Sequence, residues 1–376
     1  MPKGVMNKMK FTCSKSDLLN GVSIVSKAVP TKTTMAILEC ILIDASSDNI
    51  KLTANNTELG IETVIEGNVI ENGIVALDAK ILYEMIRNLP DNDVTITTDQ
   101  TFKTTIVCEK INYNIIGKSG EDFSYLPNIH KEEAVLMSQY TLKETIRQTI
   151  FSVSDNDNNK MMTGELFDLK GDKLRVISMD GYRVSIRNVN LSASYGDKKI
   201  IVPGKTLQEL LKVISGDMDS EISIFFTKNH IVFEFDRTTV VSRIIEGNYF
   251  DIDRMLTDNY ETKVRVNKKE ILDSFNRTTP LIKENDKKPI VMNLTGNEME
   301  LKINSFAGSF DEEIDVSKEG NDIRIGFNPK FFIDALKVIE DEEISINMVN
   351  AKSPCFIKDD EGKFIYMVLP VSIVDE

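Results

Sequence analysis

Along this chain, short stretches in which apolar and polar residues alternate give way repeatedly to a helical period. Lys10-Phe11-Thr12, Tyr140-Thr141-Leu142 and Val264-Arg265-Val266 read as short strands leading into amphipathic helices at Lys15, Lys143 and Lys268. Those lysines lie 128 and 125 residues apart. Midway between them runs a sharper series. Residues 74–80, 200–205 and 323–330 each read as strand, turn and helix start, with Lys80, Lys205 and Lys330 in two equal steps of 125. Each of these helices sets an acid four positions on and a base seven on: Glu84 and Arg87, Glu209 and Lys212, Asp334 and Lys337. Offsets of 0, 4 and 7 share one helix face, and Leu82, Met85 and Ile86 and their counterparts supply an apolar one. Alternating strands follow at 93–97, 222–226 and 344–348.

The pattern predicts an α+β chain of three similar domains, each with two helices on antiparallel sheets. Extending the period from the lysines gives a disordered N-terminal tail at 1–8 and domains at 9–131, 132–258 and 259–376.

Composition narrows the function. The chain has 376 residues, 41% hydrophobic and 28% charged, with no apolar run long enough for a membrane span and no signal-peptide core at its start. Cys13, Cys40, Cys108 and Cys355 stand far apart, which fits buried thiols in a reducing cytoplasm better than disulfides or a zinc site. With only His130 and His230, and no carboxylate pair at diagnostic spacing, the sequence supports neither catalysis nor a metal or other cofactor.

A net charge of −14 argues against nucleic acid only if it is spread evenly. The six expected helices, 15–28, 79–90, 142–153, 204–214, 267–280 and 329–339, hold thirteen bases and seven acids, leaving −20 on the rest. The acids gather in loops such as Asp155-Asn156-Asp157, Asp311-Glu312-Glu313 and Glu340-Asp341-Glu342-Glu343. Six basic helices in an acidic chain fit binding to the phosphate backbone of duplex DNA, salt-sensitive and blind to sequence. An acidic repeat scaffold that binds peptides without DNA would share the repeat but leave those helix faces solvated.

Local motifs carry a family resemblance across residues 9–373. Met9-Lys10-Phe11-Thr12, Leu18-Leu19 and Thr33-Thr34-Met35-Ala36-Ile37-Leu38 resemble an opening strand, helix and T-x-P-I-L segment, with Ala36 in place of proline. Thr163-Gly164-Glu165-Leu166-Phe167 and Ser178-Met179-Asp180-Gly181-Tyr182-Arg183 resemble TGxLF…TDGxR, with Met179 for threonine. Glu246-Gly247-Asn248-Tyr249-Phe250-Asp251-Ile252 is similar to EGxYPDY, with Phe250 for proline, and Tyr366-Met367-Val368-Leu369-Pro370-Val371 matches a Y-x-[VI]-[ML]-P-[VMI] ending. In this order the motifs resemble the bacterial sliding clamp family, the beta subunit of DNA polymerase III.

The resemblance implies a head-to-tail homodimeric ring around double-stranded DNA, without its own chemistry, that a clamp loader opens. It implies a pocket in which the polymerase catalytic subunit and repair proteins dock a short linear motif. By position the pocket takes Met162, Met179, Gly181, Tyr182, Arg183, Val184, Phe250, Arg254, Met255, Phe331, Met367, Val368, Leu369, Pro370 and Val371. The channel takes Lys32, Lys80 and Arg87, and the loop residues Asn156, Lys160 and Met161. Lys143, Arg147, Lys205, Lys212, Lys330 and Lys337 are the cations of the other helices expected to face the DNA. Leu281 and Ile282 resemble residues at the subunit contact, although packing of the fifth helix on its own sheet explains them equally well.

Overall fold

The computed structural model describes residues 8–156, 158–282, 289–359 and 361–373. The expected tail therefore lies, but for Lys8, outside the described residues, as do Asp157 and the charged stretch 283–288.

The first repeat opens with β1 (Met9–Ser14), α1 (Lys15–Val25), β2 (Cys40–Asp44), β3 (Ile50–Asn55), β4 (Leu59–Ile65) and β5 (Asn68–Glu71). Its second half is β6 (Ile74–Asp78), α2 (Ala79–Arg87), β7 (Asp93–Thr98), β8 (Lys103–Cys108), β9 (Ile111–Ile116) and β10 (Lys118–Ser119). The middle repeat has β11 (Ala134–Ser138), α3 (Gln139–Arg147), the long strands β12 (Gly164–Met179) and β13 (Arg183–Pro203), α4 (Gly204–Leu210), β14 (Glu221–Phe226), β15 (His230–Phe235) and β16 (Thr238–Arg243). The last begins with β17 (Thr262–Asn267), α5 (Lys268–Thr278), β18 (Ile290–Thr295), β19 (Glu298–Ser305), β20 (Gly308–Asp315) and β21 (Ser317–Gly320). It ends with β22 (Ile323–Phe327), α6 (Pro329–Val338), β23 (Glu343–Met348), β24 (Cys355–Lys358) and β25 (Phe364–Val368). Every half is a strand, a helix and an antiparallel meander; in β12 and β13 register shifts at 169–173 let two bent strands do the work of several.

The helices start where a short polar side chain replaces the missing backbone partner. Ser14, Asp78, Asn267 and Asn328 each accept a backbone N–H of their helix's first turn. The Ser138 hydroxyl likewise accepts the Thr141 N–H at 3.1 Å. That cap corrects one expectation: Tyr140-Thr141-Leu142 is the first turn of α3, not a strand. Lys143 is thus mid-helix, whereas Lys15 and Lys268 open theirs. The second lysine series holds, because Lys80, Lys205 and Lys330 are each the second helical residue. α3 and α4 are shorter than expected. Beyond Leu210, the β-branched pair Val213-Ile214 is followed by Gly216 at φ +77°, which ends the helical run.

By packing, the chain forms two compact units. One holds residues up to 141 with 208–244; the other holds 142–207 with 245 onward. The first contains a five-stranded sheet, β5-β1-β7-β8-β9, and a nine-stranded sheet, β10-β6-β2-β3-β4-β16-β15-β14-β11. The second contains a seven-stranded sheet, β12-β13-β25-β24-β23-β17-β21, and a four-stranded sheet, β20-β19-β18-β22. Sheets thus run from one repeat into the next, through the β4–β16 ladder in the first unit and the β13–β25 ladder in the second.

In the first unit α1 packs on α2, and in the second α5 packs on α6. The α5–α6 core is aromatic: the Phe332 ring stacks on Phe275 with centroids 4.9 Å apart and leans on Phe327 at 4.8 Å, all three fully buried. Phe332→Ala would leave a ring-sized cavity there. It is expected to cost about 3–5 kcal/mol in urea unfolding of the second unit; a loss below about 1 kcal/mol would show that the site collapses around the gap.

Candidate peptide and DNA interfaces

Strand registers put Val184 and Ile186 of β13, Met367 of β25 and Phe356 of β24 on one face of the seven-stranded sheet. With Leu166, Ile177, Met179 and Ile201 they form a buried apolar cluster, closed over by Tyr249 and Ile252 and flanked by half-buried Met161, Met162, Leu256 and Tyr260. Around it stand large apolar side chains that water reaches: Tyr182 at 64% exposure, Met255 at 50%, Phe250 at 39% and Val371 at 37%. Most exposed apolar residues are isolated; four about one apolar floor form a surface that a ligand would cover.

The chain terminus is tied into this surface. The Leu369 N–H donates to the Tyr182 carbonyl at 2.9 Å, and the Val371 N–H to that of Gly326 at 2.8 Å, which leaves Pro370 between two anchored residues. The Tyr182 ring stacks on Phe331 at 6.4 Å, while Phe250 meets Tyr249 edge-on at 6.3 Å. The turn beneath Tyr182 has Gly181 at φ +91°, where a side chain would be strained, and the Asp180 carboxylate accepts the N–H groups of Tyr182 and Arg183. Arg254 is on the rim, 86% exposed and 3.0 Å from Asp251.

Val368 and Arg183, two of the expected pocket residues, are buried. Val368 faces the opposite side of its strand from Met367 and belongs to the aromatic core of the last repeat. Arg183 is 7% exposed and turned inward. Its Nε donates to Asp180 at 2.8 Å, its Nη1 to Asp334 at 2.7 Å and its Nη2 to the Phe151 carbonyl at 2.5 Å, with the Phe331 ring 4.7 Å away. These acceptors hold the guanidinium charged, its pKa raised despite burial.

Lys80, Lys205 and Lys330 are exposed and have no ion pair among the described residues. Lys32 and Lys337 are exposed as well. The 0, 4, 7 pattern works differently from expectation: Glu84 pairs forward with Arg87 and Glu209 with Lys212, both at 2.8 Å, leaving the first lysine free. In α6 the acid, Asp334, serves Arg183 instead. Lys143 is half-buried. Arg147 is withdrawn from the free cations, since it pairs with Glu144 and reaches the Val338 carbonyl at 3.3 Å and Glu340 at 3.4 Å. In the loop, Asn156 and Lys160 are exposed, while Met161 packs against the apolar cluster.

Leu281 and Ile282 are half-buried after α5, with Leu281 beside Gly308 at the start of β20. Sequence reasoning missed the outer strands of the two smaller sheets. β9 carries Ile111 and Ile116, the latter 82% exposed, and the turn into β20 carries Phe306, 95% exposed. Alternating apolar residues there signal a strand; what they do not signal is that the strand lies at an edge.

Cavities of 580 and 640 Å³ open along charged residues near Arg265 and Lys358, and one of 540 Å³ beside α1 and β4, all apart from the exposed apolar residues. All four cysteines are free and buried. No group of metal-binding side chains occurs among the described residues, and no described helix is long and apolar enough to cross a membrane.

Three doubled repeats of helices on shared antiparallel sheets, with exposed lysines opening three helices, define a DNA-clamp architecture. Models of the DNA polymerase III beta subunit match along the chain: the N-terminal domain at residues 9–127, the central domain at 136–251 and the C-terminal domain at 253–372. A Beta sliding clamp from Staphylococcus epidermidis is 31% identical over 376 residues, covering 96% of this chain and 99% of that one. A crystal structure from Eubacterium rectale, assigned as a DNA polymerase III beta subunit, superposes with a TM-score of 0.95 at 64% identity, covering 97% of this chain and all of that one. The DNA polymerase sliding clamp of Bacillus subtilis superposes at 0.94 with 28% identity, covering 98% and 100%. The chain belongs to the DNA polymerase III beta subunit family. It is a DNA sliding clamp, a processivity factor rather than a catalytic subunit.

One side chain beside the pocket floor is chemically out of place. Glu165 of β12 is fully buried, and among the described residues neither carboxyl oxygen has a hydrogen-bond partner. The adjacent Thr149 hydroxyl is already donated to the carbonyls of Thr145 and Ile146. Burial raises the Glu165 pKa well above the ordinary 4.5. The folded protein therefore keeps this proton where the unfolded chain releases it, so stability is complete below 4.5 and falls as pH rises above it. Urea midpoints measured from pH 5 to 8 should show this decline in the parent and lose the corresponding part of it in Glu165→Gln; equal slopes would refute the assignment.

Proposed function

We propose that two copies close head to tail into a ring around duplex DNA, with the domains dividing near 131 and 258. The ladder pattern carries this reading. The last meander strand of a first half-repeat pairs with that of the second half of the following repeat: β4 with β16, and β13 with β25. By the same rule β20 of the last repeat should pair with the strand equivalent to β16 and β25 in a following repeat. Among the described strands β20 ends its sheet without one, and β9 of the first repeat is the counterpart likewise left at a sheet end. Joining β20 of one copy to β9 of the next satisfies both edges and buries Ile111, Ile116 and Phe306. Leu281, beside β20, is placed to pack at the same seam, with Ile282 next to it in sequence. An exchange of this kind in both directions closes two copies into a ring.

Within the ring, Lys80, Lys205 and Lys330 turn toward the hole and meet phosphates, with Lys32, Arg87, Lys143, Asn156, Lys160, Lys212 and Lys337 in support. The contacts are electrostatic and independent of sequence. A closed ring holds DNA by topology, so moderate affinity is enough, and a clamp loader opens it. The surface around Tyr182, Phe250, Met255, Phe331 and Val371 takes an extended apolar segment of the polymerase catalytic subunit or of repair proteins. Its methionines, Met161, Met162, Met179, Met255 and Met367, give it adaptable walls.

Two outcomes test the reading. The double variant Ile111→Glu, Ile116→Glu should sediment at half the parent's mass at micromolar concentration, with an unchanged helical spectrum; a stable dimer in this variant would rule out the β9 seam. The variant Lys80→Glu, Lys205→Glu should dimerise normally. Its retention on nicked circular DNA after loading with ATP should drop roughly tenfold at moderate salt. Parent-like retention would remove these lysines from the channel.

A further inference from the structure

We propose that Asp334 is a positioning residue for partner docking, acting through Arg183 to hold the aromatic shelf of Phe331 and Tyr182. This inference rests on the peptide-binding reading of that surface. Phe331 and Asp334 are three residues apart on α6 and so share a helix face. The Arg183 guanidinium fills the space between them, under the Phe331 ring at 4.7 Å and against the Asp334 carboxylate at 2.7 Å. Its Nε is held by Asp180, whose second oxygen fixes the backbone of Tyr182. The Tyr182 ring in turn lies on Phe331. From behind, the Tyr366 hydroxyl donates to the Phe331 carbonyl at 2.5 Å.

The chain of contacts is Asp334, Arg183, Asp180, Tyr182, Phe331, and it closes on itself. It joins a turn of the central family domain to a helix of the C-terminal one. Of its members, Tyr182 is exposed and Phe331 half-buried, while Arg183 is almost covered. The rings therefore meet the ligand, and the ion pairs set where the rings stand. Planarity matters: one guanidinium serves two carboxylates and a carbonyl while presenting its face to a ring, which an ammonium cannot do. Asp334 is the clean point of attack, because among the described residues its carboxylate makes no other hydrogen bond or ion pair, whereas Asp180 also builds the turn.

Neutralising Asp334 releases one arm of the guanidinium without touching a surface that meets ligand. A shelf free to rotate must be ordered on binding, so the loss should appear in dissociation. The test immobilises the replicative polymerase catalytic subunit of the same bacterium and measures binding of the full-length clamp. Asp334→Asn should bind about tenfold more weakly through a faster off-rate, and Asp334→Glu should recover most of the loss. Dimer mass and retention on circular DNA should match the parent. Should Asp334→Asn melt more than about 5 °C early, Asp334→Glu carries the comparison, expected two- to threefold weaker at an unchanged melting point. Met255→Lys with Val371→Glu serves as the pocket control. If the control abolishes binding while both Asp334 variants stay within twofold of the parent, Asp334 is only structural and the proposal fails alone. If the control binds like the parent, the pocket reading fails and this inference falls with it.

Discussion

A strand at the end of a sheet leaves a row of backbone N–H and C=O groups without partners, and that requirement organises this molecule. Each half-repeat makes a meander whose last strand would be such an edge. In four cases the chain satisfies it internally, by laying β4 against β16 and β13 against β25. This is why the compact units cut across the repeats: the ladders are continuous where the sequence period is not. Among the described strands the same requirement remains at β9 and β20, each the last strand of its sheet. Proteins usually guard an open edge with charge, proline or a bulge. Here Ile116 and Phe306 stand almost bare at these places. An edge decorated in this way favours a partner, and a second copy of the chain carries the edge proposed to match it. Closure and oligomerisation are then one physical event.

Charge is sorted against that frame by local pairing. In α2 and α4 the acid binds the base three residues ahead, which leaves the opening lysine without an ion pair among the described residues. A helix of modest net charge can thus present a full unit charge at its start. That end of the helix also carries the positive pole of the backbone dipole, which favours an anion. The long-range field of a −14 chain repels DNA from most of its surface, so such bare cations matter more than their number suggests.

What the sequence revealed and what it hid follow from the same geometry. The series at Lys80, Lys205 and Lys330 was legible because a cap or proline fixes each helix start within two residues. The series at Lys15, Lys143 and Lys268 was misread at Lys143, where Tyr140-Thr141 has strand propensity but Ser138 captures the Thr141 N–H first. The motifs, taken in order, brought together Met179, Val184 and Met367, which share one buried cluster. They could not tell that Val368 packs on the other side of its strand, since neighbouring strand residues face opposite ways and a motif match carries no face. The pairing of Arg183 with Asp334 was not legible either, because the two lie 151 positions apart, a distance no local pattern spans. Open edges are invisible for a related reason: pairing belongs to the sheet, and an unpaired strand has the same alternation as a paired one.

Two of the departures from the family motif, Phe250 and Met179, lie at this surface. Where a proline wall is usual, Phe250 projects a ring edge-on to Tyr249, and Met179 replaces threonine in the floor below. Both changes add apolar bulk and remove polar or rigid atoms. On the other side of the surface, the stacked Tyr182 and Phe331 rings are held by an ion cluster rather than by packing alone. On the proposed peptide-binding reading, a soft wall and a fixed shelf would divide the work of recognition: the methionines and Phe250 accept differing side chains, while the shelf sets the path of the backbone. On α6 that shelf sits next to Lys330, one residue from Phe331 and roughly 100° round the helix, so the ring that orients a protein ligand and the cation proposed to meet DNA share one rigid support.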